Sequence, residues 1–220
     1  MKIHNFGAGP CILPQEVFAQ AAAGVLNLNQ SGLSILEISH RSAAFDEILL
    51  NTKSLVRELL NVPDDYQILF LQGGASMQFS MLPMNFLSEN AKASYLDTGV
   101  WSEKAIKEAQ LFGGVEIVAS SKDKNYSYIP TGFEIPTDSA YFHITTNNTI
   151  YGTEMFEDLD SSVPIVADMS SDIFSRKIDV SKYALIYAGM QKNIGPAGAT
   201  LVIVKNDFLE KQVRKVASML

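Results

Sequence analysis

Short apolar runs alternate with amphipathic stretches along most of the chain, and this alternation limits the possible folds more than any other feature. Residues 66–71 and 183–187 have the length and apolar content of buried strands. Between such runs lie stretches whose apolar residues recur with helical spacing, and the clearest of them begins at Phe45. In a chain of 220 residues, 47% of them hydrophobic, this alternation predicts one substantial α/β core.

The same patterns give approximate boundaries for each element. We expect strands at residues 66–71, 93–96, 115–119, 141–144, 165–167, 184–187 and 201–204. We expect helices at residues 14–28, 45–60, 76–87, 101–111 and 207–220. Residues 122–138 are polar and form the longest irregular stretch. Because no repeat or linker divides the sequence, we expect a single domain over residues 1–220, with residues 1–15 extended and packed against it.

The charge balance and the cysteine content exclude several classes of function. Lys and Arg total 17 against 24 Asp and Glu, for a net charge of −7, so we expect neither a nucleic acid nor a membrane as partner. Any anionic ligand must be bound by local geometry. Cys11 is the only cysteine, which excludes an internal disulfide and a cysteine-based zinc site and fits a reducing compartment. With no recognisable signal peptide or membrane span, we expect a cytoplasmic protein without a metal.

Two side chains that end predicted strands point to a specific chemistry. Lys192 lies in a glycine-rich turn after residues 183–187, and Asp168 directly follows residues 164–167. If the two strands are parallel neighbours, both side chains meet at one sheet edge, where open α/β sheets bind ligands. Pyridoxal phosphate needs such a pair, a lysine for a Schiff base and a carboxylate beside the pyridine nitrogen. Each residue alone also has an ordinary explanation, as a solvated lysine or a turn-capping aspartate.

Three further strand ends carry residues that suit the same cofactor. Residues 73–76, Gly-Gly-Ala-Ser, lie between a strand and a helix and offer backbone N–H groups to a phosphate, although such glycines also serve simply to fit a turn. Trp101 follows the next strand and either stacks on a pyridine ring or belongs to the core. Residues 146–152 follow another strand, where a hydroxyl either holds the cofactor's phenolate oxygen or caps a turn.

A series of segments, in order along the chain, matches one enzyme family. They are residues 6–10, 39–42, 72–74, 97–102, 147–152, Asp168 with Ser170 and Ser171, and residues 189–198. On these segments the sequence resembles the phosphoserine aminotransferases, which are class V, fold type I pyridoxal-phosphate enzymes. The resemblance implies a three-layer fold type I large domain with a mostly parallel central sheet. It also implies that the family's smaller carboxyl-terminal domain is absent from these 220 residues.

The resemblance assigns a cofactor role to several residues. They are Ala75, Ser76, Trp101, Thr149, Asp168, Gln191 and Lys192. Lys192 would form the Schiff base and Asp168 would pair with the pyridinium nitrogen. The backbone amides of Ala75 and Ser76 would bind the phosphate with help from Gln191, while Trp101 stacks on the ring and Thr149 reaches its phenolic oxygen. To move a proton Lys192 must be neutral part of the time, so we expect its pKa to lie below about 10.4.

The resemblance also implies substrates and a partner. Arg41, with His40 nearby, would bind a substrate carboxylate, for which a bidentate guanidinium is suited. The implied reaction is the reversible transfer of an amino group from L-glutamate to 3-phosphonooxypyruvate, giving O-phospho-L-serine and 2-oxoglutarate in serine biosynthesis. The resemblance also allows 4-phosphohydroxythreonine, in pyridoxine biosynthesis, as a further substrate. A homodimer is implied because loops of this kind complete the site of the neighbouring subunit.

Two other interpretations stay open. One keeps the fold and changes the reaction, to that of an alanine–glyoxylate type aminotransferase or a cysteine desulfurase. The desulfurase needs a nucleophilic cysteine on a loop, and Cys11 is the only thiol. The other interpretation is a chain that binds the cofactor or dimerises without catalysing transfer. In either case we expect exposed apolar surface where the family's further domain would pack.

Overall fold

The computed structural model describes residues 3–215, with helices and strands alternating as the sequence predicts. The helices are α1 Gln15–Asn27, α2 Ala43–Leu60, α3 Gly74–Phe86, α4 Val100–Ala109 and α5 Asn206–Leu209. The strands are β1 Tyr66–Leu71, β2 Lys92–Asp97, β3 Gly114–Ser120, β4 Phe142–Thr145, β5 Asn147–Asn148, β6 Thr153–Glu154, β7 Ile165–Asp168, β8 Leu185–Gly189 and β9 Thr200–Lys205. None of these helices is long and apolar enough to cross a membrane.

Seven strands form one mixed sheet in the order β1-β9-β8-β7-β4-β2-β3. The pairs from β8 through β7, β4 and β2 to β3 are all parallel. Only β9 is reversed, since it pairs antiparallel with both β1 and β8. All strands of this sheet except β9 therefore end at the same side, which we call the carboxyl edge. The predicted mostly parallel sheet is confirmed, and β7 and β8 are neighbours within it.

Both faces of the sheet are covered, which gives three layers. Strands β4 and β7 are buried at every position, as expected of parallel strands packed on both sides. On one face the side chains of α3 and α4, including Phe79 and Ile106, pack on the sheet. On the other face Val56 and Leu60 of α2 join a second cluster with Ile173. These layers hold the strand ends of the carboxyl edge in fixed positions.

The amphipathic helix α2 is only partly covered by the rest of the chain. Ser42 caps its start, with a side chain that accepts a hydrogen bond of 3.3 Å from the Phe45 N–H, and Asn61 caps its end in a left-handed conformation. Of its apolar face Val56 is buried, but Leu59 is 67% exposed. Helix α1 buries no residue at all. Apolar surface is thus exposed on these two helices.

One predicted helix is much shorter than expected. The pattern at residues 207–220 predicts a helix, but α5 ends at Leu209 and residues 210–215 are not helical. The segment is instead bound to the end of α3, because the Val213 N–H donates to the Asn85 carbonyl at 2.8 Å and Arg214 Nη2 donates to the Leu87 carbonyl at 2.9 Å. Such tertiary bonds outweigh local propensity. Residues 216–220 lie outside the described part of the chain.

A second difference concerns residues 147–152, which we expected to form only a polar turn. Asn147 and Asn148 instead pair with Glu154 and Thr153 as a small antiparallel ladder, β5 with β6. The intervening residues turn back with Gly152 at a φ of 72°, and its N–H donates to the Asn148 carbonyl at 2.8 Å. A two-residue strand is too short to give an alternating pattern in the sequence, so periodicity does not reveal it.

Candidate functional site

Lys192 and Asp168 line one cavity at the carboxyl edge of the sheet. The cavity measures about 130 Å³ and is bounded by the loops that follow β1, β2, β4, β7 and β8. Asp168 ends β7, and its register partner on the adjacent parallel strand β8 is Tyr187. The chain then needs only a short turn to reach Lys192. Of the other predicted residues, Ala75, Ser76, Trp101 and Gln191 also line this cavity.

Asp168 is buried at the bottom of the cavity, with one oxygen already bonded. Its Oδ1 accepts hydrogen bonds from the Ser170 N–H at 3.0 Å and the Ser170 hydroxyl at 2.6 Å. Burial raises the pKa of Asp168 above its ordinary value, although the Ser170 bonds and the Lys192 charge oppose the shift. A cation placed against the remaining oxygen would favour the ionised carboxylate. The site is therefore suited to a ligand that presents a positively charged N–H group.

Lys192 projects into the same cavity from the turn after β8. Its Nζ donates a hydrogen bond of 3.0 Å to the Thr149 hydroxyl and lies 5.8 Å from the centroid of the Trp101 ring. Burial lowers the pKa of Lys192, and the nearby Asp168 charge opposes that shift only in part. Burial, the main cause, shifts the pKa in the expected direction. A lysine held this way is neutral more often than an exposed one, as a nucleophile or proton carrier must be.

The first turn of α3 offers an anion site on the opposite wall. Gly73 and Gly74 have φ values of 93° and 65°, and a Cβ on Gly73 would lie 2.5 Å from Met77 Cβ, so only glycine fits there. Gly74, Ala75 and Ser76 line the cavity, and their N–H groups have no acceptor within the helix. The first turn contains no acidic residue. Free N–H groups and the helix dipole together favour a phosphate here.

Trp101 and Thr149 belong to two segments that are fastened to each other. The Asn148 side chain, buried in the hairpin beside Thr149, donates a hydrogen bond of 3.0 Å to the Thr98 carbonyl. A Cβ on Gly99 would lie 2.0 Å from Asn148 Nδ2, so this close approach requires glycine. The wall that carries Trp101 and the loop that carries Thr149 are thus kept at a fixed separation. The sequence gives no sign of this role for Asn148 beyond its membership of a polar segment.

The amino-terminal segment reaches the site at one point. The Cys11 N–H donates to the Gln191 carbonyl at 2.8 Å, and a Cβ on Gly9 would lie 3.2 Å from Lys192 Cγ. Farther out, Ile3 and Phe6 are exposed. Residues 9–11 therefore contact the Lys192 turn, while the segment before them stands in solvent.

The two predicted substrate-binding residues do not lie in this cavity. Arg41 and His40 are exposed in the segment before α2, and neither is among the residues that line the cavity. Thr145, the register partner of Asp168 on β4, also lines the cavity, although no pattern in the sequence assigns it a role. The only available signal was the position of Thr145 at a strand end.

A second buried carboxyl, Asp172, lies one turn beyond Asp168 and gives a prediction about stability. Asp172 accepts a hydrogen bond of 2.6 Å from the Thr146 hydroxyl, and burial raises the pKa of Asp172 to about 6. The folded state therefore binds an extra proton between about pH 4 and pH 6, and the stability from this group is lost as the pH rises through that window. We expect Asp172→Asn, which keeps the acceptor oxygen, to be more stable than wild type at pH 7 by up to about 3 kcal/mol, but not at pH 4.

Urea unfolding of both proteins at the two pH values measures this difference. Glu89→Gln, which changes an exposed carboxyl, is the control and should show no comparable pH dependence. An Asp172→Asn effect of the same size at pH 4 and pH 7 would contradict the account.

Comparison with known proteins agrees with this geometry. A family model described as Aminotransferase class-V matches residues 3–217. The phosphoserine aminotransferase of Bacteroides thetaiotaomicron is 60% identical over 220 residues, which cover 100% of this chain and 61% of that protein. The chain thus spans less than two thirds of the length of this curated relative.

Solved structures show the same similarity in three dimensions. The phosphoserine aminotransferase from Bacillus circulans subsp. alkalophilus superposes with a TM-score of 0.94 at 43% identity, covering 98% of this chain and 60% of that one. The phosphoserine aminotransferase from Trichomonas vaginalis, solved with pyridoxal phosphate bound, gives a TM-score of 0.90 at 39% identity, covering 100% of this chain and 65% of that one.

Proposed function

This chain belongs to the class-V aminotransferase family, and from that premise we propose that residues 1–220 are the cofactor-binding large domain of a phosphoserine aminotransferase. The reaction would transfer the amino group of L-glutamate to 3-phosphonooxypyruvate, giving O-phospho-L-serine and 2-oxoglutarate. The observation that carries the proposal is the convergence of the Lys192 amine and the Asp168 carboxyl in one cavity beside the first turn of α3. The names of the relatives supply the substrate class.

Pyridoxal phosphate fits the groups that line the cavity. Bound there, it would supply a ring that accepts electrons from the substrate α-carbon and a carbonyl group that reacts with an amine. Its phosphate suits the free N–H groups of Gly74, Ala75 and Ser76, with Gln191 beside them. A protonated ring nitrogen suits the buried Asp168, because burial raises the pKa of this carboxyl and a cation beside it would favour the ionised form. Such a cofactor is consistent with the donors and acceptors at both ends of the cavity.

The side walls of the cavity suit the flat part of the cofactor. Trp101 offers an indole face, and the Thr149 hydroxyl, already bonded to Lys192 Nζ at 3.0 Å, is placed to reach a phenolic oxygen. Thr149 does not itself line the cavity, and Asn148 holds its loop at a fixed separation from the Trp101 wall through the bond to the Thr98 carbonyl. These residues would orient the ring and exclude water from one side of it.

Lys192 is the group suited to carry a proton at the reacting carbon. Its pKa is lowered by burial, so at neutral pH a larger fraction of this amine is uncharged and free to accept a proton than of an exposed lysine. The Thr149 hydroxyl restricts the positions that the Lys192 side chain can take, because it accepts a hydrogen bond from Nζ. Asp168, held by Ser170, keeps negative charge at the far end of the cavity.

We place Arg41 and His40 in the site of a neighbouring subunit. Both are exposed and away from the cavity of their own chain, while a substrate carboxylate calls for a bidentate guanidinium. The uncovered apolar faces of α1 and α2 are surfaces that a second copy would bury. A homodimer is the assembly that this arrangement favours.

A comparison of amino acceptors tests the function. We would assay the 220-residue chain and a chimera that adds the remainder of the Bacteroides thetaiotaomicron relative after residue 220. With glutamate as donor, the chimera should prefer 3-phosphonooxypyruvate over pyruvate or glyoxylate by about a hundredfold in kcat/KM, because charge-assisted phosphate contacts contribute roughly 1.5–3 kcal/mol each.

The other outcomes separate the alternatives. A preference for glyoxylate or pyruvate would assign the chain to another class-V aminotransferase. Release of alanine from cysteine, with the sulfur recovered as sulfide when a thiol reductant is added, would point to a desulfurase that uses Cys11. Cofactor binding by the chimera without transfer to any acceptor would leave a binding module and would overturn the proposed reaction.

A further inference from the structure

A buried carboxyl at the end of β2, Asp97, takes no part in the proposed chemistry. Asp97 is 4% exposed and accepts hydrogen bonds from hydroxyl groups on different parts of the chain. Its Oδ2 lies 2.7 Å from the Ser120 hydroxyl, at the end of β3, and 3.3 Å from the Tyr126 hydroxyl. Its Oδ1 lies 3.1 Å from the Ser102 hydroxyl on α4. None of these four residues, which we call the Asp97 cluster, lines the cavity.

Ser102 links the Asp97 cluster to the turn that precedes α4. The Ser102 side chain is buried, and its oxygen accepts hydrogen bonds from the Thr98 N–H at 2.9 Å and the Gly99 N–H at 3.0 Å. Its one proton has two acceptors within reach, the Gly99 carbonyl at 2.7 Å and Asp97 Oδ1 at 3.1 Å. A hydroxyl has one proton and two lone pairs, so the bonding capacity of Ser102 is fully used. Both N–H groups of the turn are therefore held by one side chain.

The carbonyl groups of the same turn are also bonded. The Thr98 carbonyl accepts a hydrogen bond of 3.0 Å from the Asn148 side chain, and the Gly99 carbonyl accepts one of 2.9 Å from the Glu103 N–H. Trp101 follows two residues after Gly99, in the first turn of α4. The direction in which the backbone enters a helix decides where its first side chains point. The Thr98–Gly99 turn therefore decides where the indole lies.

The indole itself makes no hydrogen bond that would fix its plane. Trp101 Nε1 is buried and has no hydrogen-bond partner among the described residues. The ring packs against the apolar cluster that contains Phe79, and the Nζ atoms of Lys104 and Lys192 lie 4.7 Å and 5.8 Å from its centroid. Packing and cation contacts of this kind are less directional than a hydrogen bond. The orientation of the indole therefore depends on the backbone turn that carries it.

We propose that Ser102 is a positioning residue, which sets the plane of the Trp101 indole through the Thr98–Gly99 turn, and that Asp97 holds Ser102 in place. The inference rests on the proposed function, in which the indole stacks on the cofactor ring. Stacking depends on the relative orientation of two rings, so an indole free to tilt binds the cofactor less well. The Asp97 cluster thus contributes to cofactor affinity from outside the cavity.

The first test measures the fluorescence of Trp101 in the cofactor-free chain. Trp101 is the only tryptophan, so the anisotropy decay of indole fluorescence reports on this side chain alone. Ser102→Ala removes the hydroxyl and leaves the two N–H groups of the turn without their acceptor. We expect the population of indole groups outside the wild-type orientation to rise by roughly twofold to tenfold, seen as a larger fast component of the decay. An unchanged decay would show that Ser102 does not position the indole.

Ser94→Ala is the matched control for this measurement. Ser94 is also buried and lies on β2, but its hydroxyl bonds the Ser139 hydroxyl at 2.7 Å instead of the turn before α4. The same atoms are removed and a buried hydrogen bond is lost in both variants. Urea unfolding measures the stability that each variant loses. We expect the Trp101 anisotropy decay of Ser94→Ala to match that of wild type, and an equal change in both variants would reduce the effect of Ser102 to general destabilisation.

Substitutions at Asp97 test whether this carboxyl holds Ser102. Asp97→Asn keeps an oxygen that accepts from the Ser102 hydroxyl, so the Trp101 anisotropy decay should stay near that of wild type. Asp97→Ala removes the acceptor and should shift the decay towards that of Ser102→Ala. If Asp97→Asn and Asp97→Ala give the same decay, the assigned role of Asp97 is wrong.

The last test measures cofactor affinity and separates this proposal from the proposed reaction. In the chimera, Ser102→Ala should weaken the binding of pyridoxal phosphate, followed by its absorbance, by roughly twofold to tenfold, and Ser94→Ala should not. Equal affinity in wild type and Ser102→Ala would remove the link to the cofactor. If the acceptor assay fails, the proposed reaction fails while the fluorescence results stand. If Trp101 fluorescence does not respond to Ser102→Ala, the positioning role is wrong whatever the acceptor.

Discussion

Replacing Lys192 with alanine should abolish amino transfer while the fold survives. The substitution removes the amine that would hold the cofactor and carry the proton, and general acid–base catalysis alone contributes roughly a hundredfold to ten-thousandfold. We therefore expect kcat in the loaded chimera to fall by at least about ten-thousandfold. The fold should persist because Nζ makes a single hydrogen bond, to Thr149, and burial already disfavours its charge.

Lys104→Ala is the matched control for this experiment. Lys104 Nζ lies 4.7 Å from the Trp101 ring centroid, so it shares a neighbour with Lys192, but Lys104 is exposed and does not line the cavity. Its removal should leave turnover close to that of wild type. Circular dichroism and urea unfolding of both variants check that the fold is retained. Turnover near the wild-type level in Lys192→Ala would exclude the assigned role.

Replacing Asp168 with asparagine should give the second largest loss. Asparagine keeps the shape and an oxygen that accepts from Ser170, so the change removes the negative charge with little change in packing. Loss of one partner from a buried ion pair costs about 3–5 kcal/mol, which corresponds to a fall in kcat/KM of roughly two hundredfold to several thousandfold. Affinity for pyridoxal phosphate, followed by its absorbance, should fall as well.

The folding stability of cofactor-free Asp168→Asn should not fall, although its activity does. Because burial raises the pKa of Asp168, its carboxylate is costly in the empty fold, and Asp168→Asn should be at least as stable as wild type at pH 7. Asp172→Asn is the matched control for activity, since Asp172 is also buried but does not line the cavity. Equal kcat/KM values for Asp168→Asn and Asp172→Asn would contradict the assignment.

The pairing of Lys192 with Asp168 was predictable because each residue ends an apolar run. A buried parallel strand has a recognisable composition, and its last residue must lie at the carboxyl edge. What the sequence left open was whether the two strands are neighbours, and the β7–β8 register confirms that they are. The turn at Gly73 and Gly74 was equally predictable from the sequence. Both residues have positive φ values, which glycine adopts far more readily than other residues.

Features that depend on distant contacts were not predictable from local patterns. Residues 207–220 have an amphipathic spacing, but the bonds of Val213 and Arg214 to the end of α3 override it in residues 210–215. His143 and Tyr187 lie inside apolar strands and look like ordinary core residues. The 2.9 Å contact between His143 Nε2 and the Tyr187 hydroxyl arises only when β4, β7 and β8 are placed side by side. The apolar pattern of α2 likewise does not tell which of its apolar residues are buried, because that depends on the elements that pack against the helix.

The most direct test of the central claim is chemical labelling of the site. The chain is mixed with pyridoxal phosphate and reduced with borohydride, and the modified peptide is then identified by mass spectrometry. Lys192→Ala serves as the control. We predict that the pyridoxyl group is found on Lys192 in the wild-type chain and that this labelled peptide is lost in the variant. A label spread over other lysines, or the same extent of labelling in Lys192→Ala, would contradict the account.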